Sequence, residues 1–360
     1  KAFHRHSIDF EVHFMSWTQP NRPWNFDQFE LDYKYVLHKS FRFQIGPNFY
    51  YLTPGLFRYV FAKCNQLWII GGYSNPSHWI VALLSKCVSK SEALLWCENA
   101  FEHNSGFPFD WLRRQFIGLV DGFVVPGIAQ KKFLETQSKK KLTRKIYNLP
   151  NLIDSKIYVD SVSMCRKKQK DKELRKNLRI DDHTQMWFVP ARLEKVKGLD
   201  NLIPLLRGVC NVTVIIAGEG PQKKYLTELI DEYDVDVRLV GQLDINQITT
   251  MYASADLFVL PSYYDPSPLS VVEALASGLP IFVSQKIGNL HEVLIENVNG
   301  WKYCLDSEPE NKMLIEKIAK LTRADLKSKG VKSIEIFKRN FDAELVVNNL
   351  ADEFAKGWSE

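Results

Sequence analysis

No run of about 18 apolar residues, the length a helix needs to cross a bilayer, occurs in the 360-residue chain. No signal-peptide pattern stands at its start either, so the expectation is a cytoplasmic protein, with the inner face of the membrane as a candidate peripheral surface. The six cysteines, at 64, 87, 97, 165, 210 and 304, contain no Cys-x-x-Cys pair and no metal-ligand spacing. They fit a reducing cytoplasm and mostly buried thiols. The net charge of +5 is a small excess that mainly serves solubility. No nucleic-acid partner is expected from it. An initiator Met is also absent, since Lys1 to His6 runs straight into the strand-like 10–14 stretch. A missing upstream piece is the expectation.

The chain is otherwise ordinary for a globular protein, with 45% hydrophobic and 25% charged residues. Its length suggests two domains, each with a sizeable core. Short apolar runs alternate with helical stretches throughout. In the first part they are 67–70, 93–96 and 122–125, with a helix over about 77–86; in the second they are 186–189, 212–217, 237–240, 256–260 and 281–283. That alternation predicts two parallel α/β sheets. The character changes between Tyr147 and Arg179, where a loop at 148–154 precedes a mainly basic run from Arg166 to Arg179. The basic run reads first as one solvated amphipathic helix. With Lys139, Lys140, Lys141, Arg144 and Lys145 it is also a candidate surface for anionic lipid. Residues 309–354 read as amphipathic helix.

One stretch, 261–280, organises the second part. Asp256-Leu-Phe-Val-Leu260 is a buried strand, a proline-stiffened loop follows, and a short helix is expected with Ser267 as N-cap and Pro268 at its first position. Gly278 and Pro280 end it. Every other residue of that helix from Leu269 to Ala276 is apolar or small except Ser270 and Glu273. A carboxylate on such a helix requires a hydrogen-bonding partner. The unpaired N–H groups of Leu269 and Ser270 attract an anion, and Glu273 can accept from two hydroxyls. A nucleotide lying along the helix, phosphate at its start and ribose on Glu273, satisfies both.

Further groups follow other strand ends of the same sheet. Arg192 and Lys197 come after 186–189, Gly218-Glu-Gly220 after 212–217, and Asp265 after 256–260. In a doubly wound sheet the ligand lies beyond the carboxyl ends of the strands at the switch point. Two cations there can hold a diphosphate and neutralise it as it leaves. Each element also has a plain reading: a Gly-x-Gly as a simple turn, Arg192 or Lys197 as surface residues, Asp265 as an Asx-turn residue. Their common sheet edge favours the diphosphate.

The segments Phe188-Val-Pro-Ala-Arg-Leu-Glu-Lys-Val-Lys-Gly198, Ala217-Gly-Glu-Gly-Pro221, Ala253-Ser-Ala-Asp-Leu-Phe-Val-Leu-Pro-Ser262 and Asp265-x7-Glu273-Ala-Leu-Ala-Ser-Gly-Leu-Pro280 resemble the retaining glycosyltransferases of family 4. The resemblance is looser at Ile69-Ile-Gly-Gly-Tyr-Ser-Asn-Pro76, Val124-Val-Pro-Gly127 and Leu149-Pro-Asn-Leu-Ile-Asp154. It implies a GT-B fold of two Rossmann-like domains facing a cleft, 1–154 and 155–320, with helices of 321–360 crossing back to the first. The first strand and glycine-rich loop of that family have no counterpart here.

The resemblance further implies transfer of a sugar, with retention, from a nucleotide diphosphate-sugar to a saccharide or lipid-linked acceptor, as in cell-surface polysaccharide or glycolipid synthesis. UDP-sugars are favoured over GDP-sugars as donor, with no metal and no other cofactor. Arg192 and Lys197 are implied to hold the diphosphate, Glu273 the ribose, and the backbone at Pro268, Leu269 and Ser270 the phosphate. Gly218 and Gly220 would lie against the donor, and Val240 would line the base pocket. Asp265 stands where the family usually has Glu, one methylene longer, touching the donor sugar. Glu98 stands where the family commonly has His, so it is a candidate contact to donor or acceptor hydroxyls and equally a candidate structural ion pair. No side chain stands out as a nucleophile, so front-face attack is the expected route to retention. A nucleotide-sugar epimerase and an inactive nucleotide-sugar-binding subunit are the alternatives.

Overall fold

The chain folds as two separate α/β units, each around its own parallel sheet, in a computed structural model that describes residues 8–16, 33–45, 48–88, 90–101, 106–138 and 143–358. Unit 1 comprises Lys1–Pro126, Gln130–Leu149 and Val347–Glu360, and unit 2 comprises Gly127–Ala129 and Pro150–Val346.

Unit 1 opens with a parallel pair, β1 (Val12–Phe14) and β2 (Tyr35–Leu37), and an antiparallel hairpin, β3 (Phe41–Ile45) and β4 (Asn48–Leu52). A short helix, α1 (Phe57–Val60), leads to the main sheet. That sheet holds β5 (Leu67–Ile70), β6 (Glu92–Trp96), β7 (Gly122–Val125) and β8 (Lys145–Asn148) in simple sequential order. Helices α2 (Pro76–Ser85), α3 (Phe109–Leu119) and α4 (Ile128–Ser138) connect them. All four residues of β7 are buried, the continuous apolar pattern of a parallel strand covered on both faces. Ile70, Val81, Leu95, Phe116, Phe123 and Leu134 form the core.

Unit 2 begins with α5 (Ser155–Lys167) and α6 (Lys170–Asn177). It then alternates β9 (Gln185–Pro190), α7 (Leu199–Leu205), β10 (Val212–Ala217), α8 (Lys223–Tyr233), β11 (Val237–Gly241), α9 (Ile245–Ser254), β12 (Leu257–Leu260), α10 (Leu269–Ala276), β13 (Ile281–Ser284), α11 (Leu290–Val293) and β14 (Gly300–Tyr303). Helices α12 (Glu308–Ala319) and α13 (Arg323–Asn340) complete it. The sheet order is β11-β10-β9-β12-β13-β14, all parallel. Successive strands thus run outward from β9 on one side and from β12 on the other. The switch point lies between those two, and a ligand site is expected beyond their carboxyl ends. Trp187, Phe188 and Phe258 beside this junction are fully buried, each contributing about 1.5–3 kcal/mol by leaving water.

Three differences from the sequence expectation have physical causes. The basic run is two helices rather than one, because Gln169 takes a left-handed conformation, φ 56°, between α5 and α6. Two of its arginines are structural: Arg166 donates to the carbonyls of Ala253 and Ser277, and the buried Arg175 to Asp256 and three carbonyls. Arg144 likewise donates to the carbonyls of Ile117 and Gly118. Lys167, Lys168, Lys170, Lys172, Lys176 and Arg179 of the run stay exposed, while Lys139, Lys140 and Lys141 lie outside the described residues. Among the C-terminal helices, α13 packs on α10 and α11 within unit 2. Only α14 (Ala343–Trp358) reaches unit 1, where Leu350 and Phe354 join Leu94, Val124 and Tyr147. The first strand and loop that were expected to be missing bear on no described residue, and the start at Lys1 to His6 lies outside them.

Candidate active site

Loops leaving β9, β10 and β12 interlock at the carboxyl edge of the unit 2 sheet. Ala191 N–H donates to the Ala217 carbonyl, Leu193 N–H to Glu219, and Tyr263 N–H to Val196. Glycines permit this closeness. A Cβ on Gly218 would stand 2.1 Å from the Ala191 carbonyl oxygen, and one on Gly220 2.4 Å from that of Leu193. The space beside these two glycines is therefore filled by the β9 loop, a tighter cause for glycine than approach to a donor. Gly198, directly after Lys197, is equally constrained: its φ is +67°, and a Cβ there would stand 2.2 Å from the Pro261 carbonyl oxygen.

That interlocking brings Lys197 and Asp265 together. Lys197 Nζ lies 2.6 Å from Asp265 Oδ2, and both side chains are largely shielded, at 16% and 12% exposure. The Asp265 backbone is pinned as well, its N–H donating to the Lys286 carbonyl and its carbonyl accepting from Gly288 N–H. Arg192 is 69% exposed and pairs with Glu194 at 2.6 Å. At that exposure the pair is worth little to stability, and the guanidinium can exchange Glu194 for a bound anion.

Helix α10 starts one residue later than expected. Pro268 is its N-cap, with extended ψ of 117° and no side-chain cap, so Ser267 does not cap it. The first-turn N–H groups of Leu269 and Ser270 consequently have no side-chain acceptor from the cap, the condition for an anion site. One turn on, Glu273 is held by two tyrosines: Tyr158 Oη donates to Oε1 at 2.7 Å and Tyr252 Oη to Oε2 at 2.9 Å. Burial pushes the Glu273 carboxyl above the usual carboxylate range, while the two hydroxyls pull it back. Both tyrosines are displaced upward, by burial and then by the neighbouring Glu273 charge. Sequence reasoning missed both. Tyr158 lies 115 residues from its partner, between the loop and the basic run where the sequence gives no element, so only the demand of Glu273 for a donor hinted at it.

Val240, at the end of β11, is partly buried and packs against the core below α10. Glu98 belongs to unit 1, where it is exposed after β6 and accepts from Trp96 Nε1 at 3.3 Å. The remaining predicted site residues, Arg192, Lys197, Gly218, Gly220, Val240, Asp265, Pro268, Leu269, Ser270 and Glu273, all belong to unit 2. An Asp-x-Asp stretch, a common metal-binding pattern, does occur at Asp234 and Asp236. It precedes β11, at the opposite end of that strand, and Asp236 is engaged by Thr213 and Arg238.

Comparison with known proteins bears on the fold and on the sequence of unit 2. Residues 170–340 fit the family model described as Glycosyl transferases group 1. An uncharacterized glycosyltransferase of Methanocaldococcus jannaschii is 33% identical over 135 residues, 36% of this chain and 34% of the relative. The chain thus spans about a third of that relative's length. Among solved structures, sucrose-phosphate synthase from Thermosynechococcus elongatus superposes with a TM-score of 0.71 at 18% identity, covering 99% of this chain and 91% of the other. Anabaena HepE in complex with UDP superposes with a TM-score of 0.69 at 16% identity, covering 84% and 81%. The fold is therefore the GT-B fold of glycosyltransferases, two Rossmann-like α/β units. The sequence match to group 1 glycosyltransferases lies in unit 2, where the candidate site is built.

Proposed function

We propose that the protein is a retaining glycosyltransferase that takes its sugar from a nucleoside diphosphate donor, UDP rather than GDP, and passes it to a saccharide or lipid-linked acceptor. One observation carries this: Lys197, Asp265 and the uncapped first turn of α10 all follow the two strands, β9 and β12, that flank the switch point. Diphosphate oxygens accept from Lys197, Arg192 and the N–H groups of Leu269 and Ser270. Glu273 accepts from the ribose, with Val240 along the base. As the glycosidic bond to the diphosphate lengthens, negative charge grows on the leaving oxygen, and the two cations stabilise that state more than the ground state. The leaving diphosphate takes the acceptor proton on the same face, which preserves configuration without a protein nucleophile. Asp265 touches the donor sugar in this scheme, and Glu98 a donor or acceptor hydroxyl. The two cations take the place of a metal, so a chelator leaves turnover intact. UDP is favoured because the superposed HepE structure contains it.

Calorimetry with UDP tests the donor site: Glu273→Ala weakens binding markedly, and unchanged affinity refutes the reading. Release of UDP with and without added acceptor separates the transferase from an epimerase, which converts the donor alone, and from an inactive binding subunit, which does neither.

A peripheral contact with anionic membrane, placing a soluble enzyme at the inner face, is part of this proposal. Its support is in unit 1. Phe41, Phe43 and Ile45 on one face of β3 are 70%, 40% and 59% exposed, and between Tyr33 and Ser91 the sequence has seven Lys or Arg and no Asp or Glu. Exposed aromatics among cations suit a headgroup surface. Among the described residues no helix is long and apolar enough to cross a membrane. Sedimentation with phosphatidylglycerol vesicles, lost on Phe41→Glu, is expected; equal recovery with neutral vesicles overturns the contact.

A further inference from the structure

We infer that Tyr158 and Tyr252 are positioning residues: together they fix the Glu273 carboxylate and keep it an acceptor for the ribose hydroxyls of a nucleoside diphosphate. The inference deepens the donor reading above and rests on it.

An ionised carboxylate has two oxygens and about four acceptor sites. Tyr158 occupies one on Oε1 and Tyr252 one on Oε2. About two acceptor sites remain, the number that the 2′- and 3′-hydroxyls of a ribose require. The two phenols come from separate helices, α5 and α9, and meet edge to face with ring centroids 5.8 Å apart at 82°. Tyr252 is fully buried, with Phe188 and Phe258 against its ring. Its single hydroxyl proton is shared between Glu273 Oε2 at 2.9 Å and the Ser270 carbonyl at 3.2 Å. One side chain therefore ties the ribose end of the site, Glu273, to the phosphate end, the first turn of α10.

The choice of phenol has chemical content. A lysine or arginine in either place would neutralise the carboxylate and compete for its lone pairs with several donors. A phenol donates one hydrogen bond and brings no charge, so it favours the ionised form while leaving acceptor capacity. The groups bearing on the carboxyl are these two hydroxyls, opposed by burial. Asp154, the α5 N-cap, bears on Tyr158. Removing either hydroxyl leaves burial less opposed, and the carboxyl then protonates at higher pH. A protonated carboxyl donates one hydrogen and loses acceptor capacity, so it no longer serves two ribose hydroxyls.

The test uses the full chain and its Tyr158→Phe and Tyr252→Phe variants. UDP affinity is measured by calorimetry between pH 5 and pH 8.5. The Glu273 carboxyl is titrated without ligand by carbon-13 NMR, with Glu273→Gln identifying its resonance. In the wild type, UDP affinity falls as the pH drops through the Glu273 titration. In Tyr158→Phe both the titration and the affinity limb move to higher pH. A one-unit displacement makes binding about tenfold weaker on the acid side, with near wild-type affinity at pH 8.5. A purely packing role predicts instead a loss equal at all pH, or a lowered melting temperature with the limb in place. Either result, or a Glu273 titration unmoved in both variants, overturns the inference while the donor reading stands. Wild-type protein that binds no nucleoside diphosphate overturns the donor reading and the ribose role with it, whatever the ligand-free titration gives.

Discussion

Lys197 Nζ sits 2.6 Å from an Asp265 carboxylate oxygen, joining the loops after β9 and β12 across the switch point of the unit 2 sheet. The contact has two consequences. It fixes the ammonium at the sheet edge, and it places an anion where the proposed donor diphosphate would bind. A diphosphate entering this site competes with Asp265 for the same cation, and at a few ångströms in a partly shielded site such a charge is worth on the order of 1–4 kcal/mol. Asp265→Asn therefore tightens binding of UDP itself, by about three- to tenfold if a modest part of that repulsion is relieved. The same change lowers turnover of the sugar donor, because the sugar contact proposed for Asp265 is lost. Calorimetry with UDP and steady-state kinetics give the two signs. Affinity and turnover falling together contradict the competition.

Gly198 and Gly208 provide a matched pair. Their φ angles are +67° and +74°, but a Cβ on Gly198 meets the Pro261 carbonyl oxygen at 2.2 Å while one on Gly208 meets nothing within 4 Å. Gly208→Ala carries only the left-handed backbone cost, about 1 kcal/mol. Gly198→Ala adds a backbone clash between the two site loops and costs about 3 kcal/mol or more. Urea unfolding of both variants measures the difference, and equal losses contradict the crowding. Because Lys197 adjoins Gly198, the second variant also loses UDP affinity.

How much of this was legible depends on whether a residue's reason lies near it in the chain. β12 and the Glu273 helix were readable because the apolar run, the prolines and Gly278 are contiguous. β8 was not, since Lys145–Asn148 is half polar and becomes a strand only by pairing with β7. β14 was missed for a like reason, with Gly300 and Lys302 in a four-residue strand that β13 completes. Gly218 and Gly220 were found, but their cause, the carbonyls of Ala191 and Leu193, is a tertiary fact. Glu273 announced that it needed a partner, yet nothing in sequence ties it to Tyr158.

Asp256 shows how a conspicuous motif residue can serve the fold. It accepts from Arg175 at 2.9 Å, Arg323 at 2.7 Å and the Met186 N–H at 2.8 Å, before β12 begins and thus at the opposite end of the strand from Asp265. Arg175 is 4% exposed. Removing its carboxylate partner leaves a buried guanidinium uncompensated, so Asp256→Ala costs about 3–5 kcal/mol. UDP affinity of the folded fraction stays within about twofold, as expected for a change far from the site. Denaturant unfolding and calorimetry below the transition separate the two effects. A large loss of affinity with stability intact contradicts the structural assignment.

Unit 1 holds three histidines whose burial disfavours the protonated form, and acid should loosen it. His13 Nδ1 lies 2.9 Å from His38 Nε2, with the Tyr59 ring edge-on to both and Trp68 beside His13. Only one proton fits between the two ring nitrogens. His78 is bound through Nδ1 to the Gly72 carbonyl at 2.7 Å. Burial lowers all three from the usual value of 6.5, although Glu11 partly restores His13. In the range between the folded and unfolded values the unfolded chain binds more protons, so stability rises with pH there. The contribution is complete above 6.5 and is lost as the pH falls toward the lowered values. Amide exchange at pH 7.5 and pH 5.5 should show protection in β1, α1 and β5 falling at the lower pH, relative to β9 and β12. His78→Asn keeps a donor for Gly72 without a titrating ring, so it reduces the pH dependence in proportion to the share of His78. Protection in unit 1 that is equal at the two pH values contradicts this account of the buried histidines.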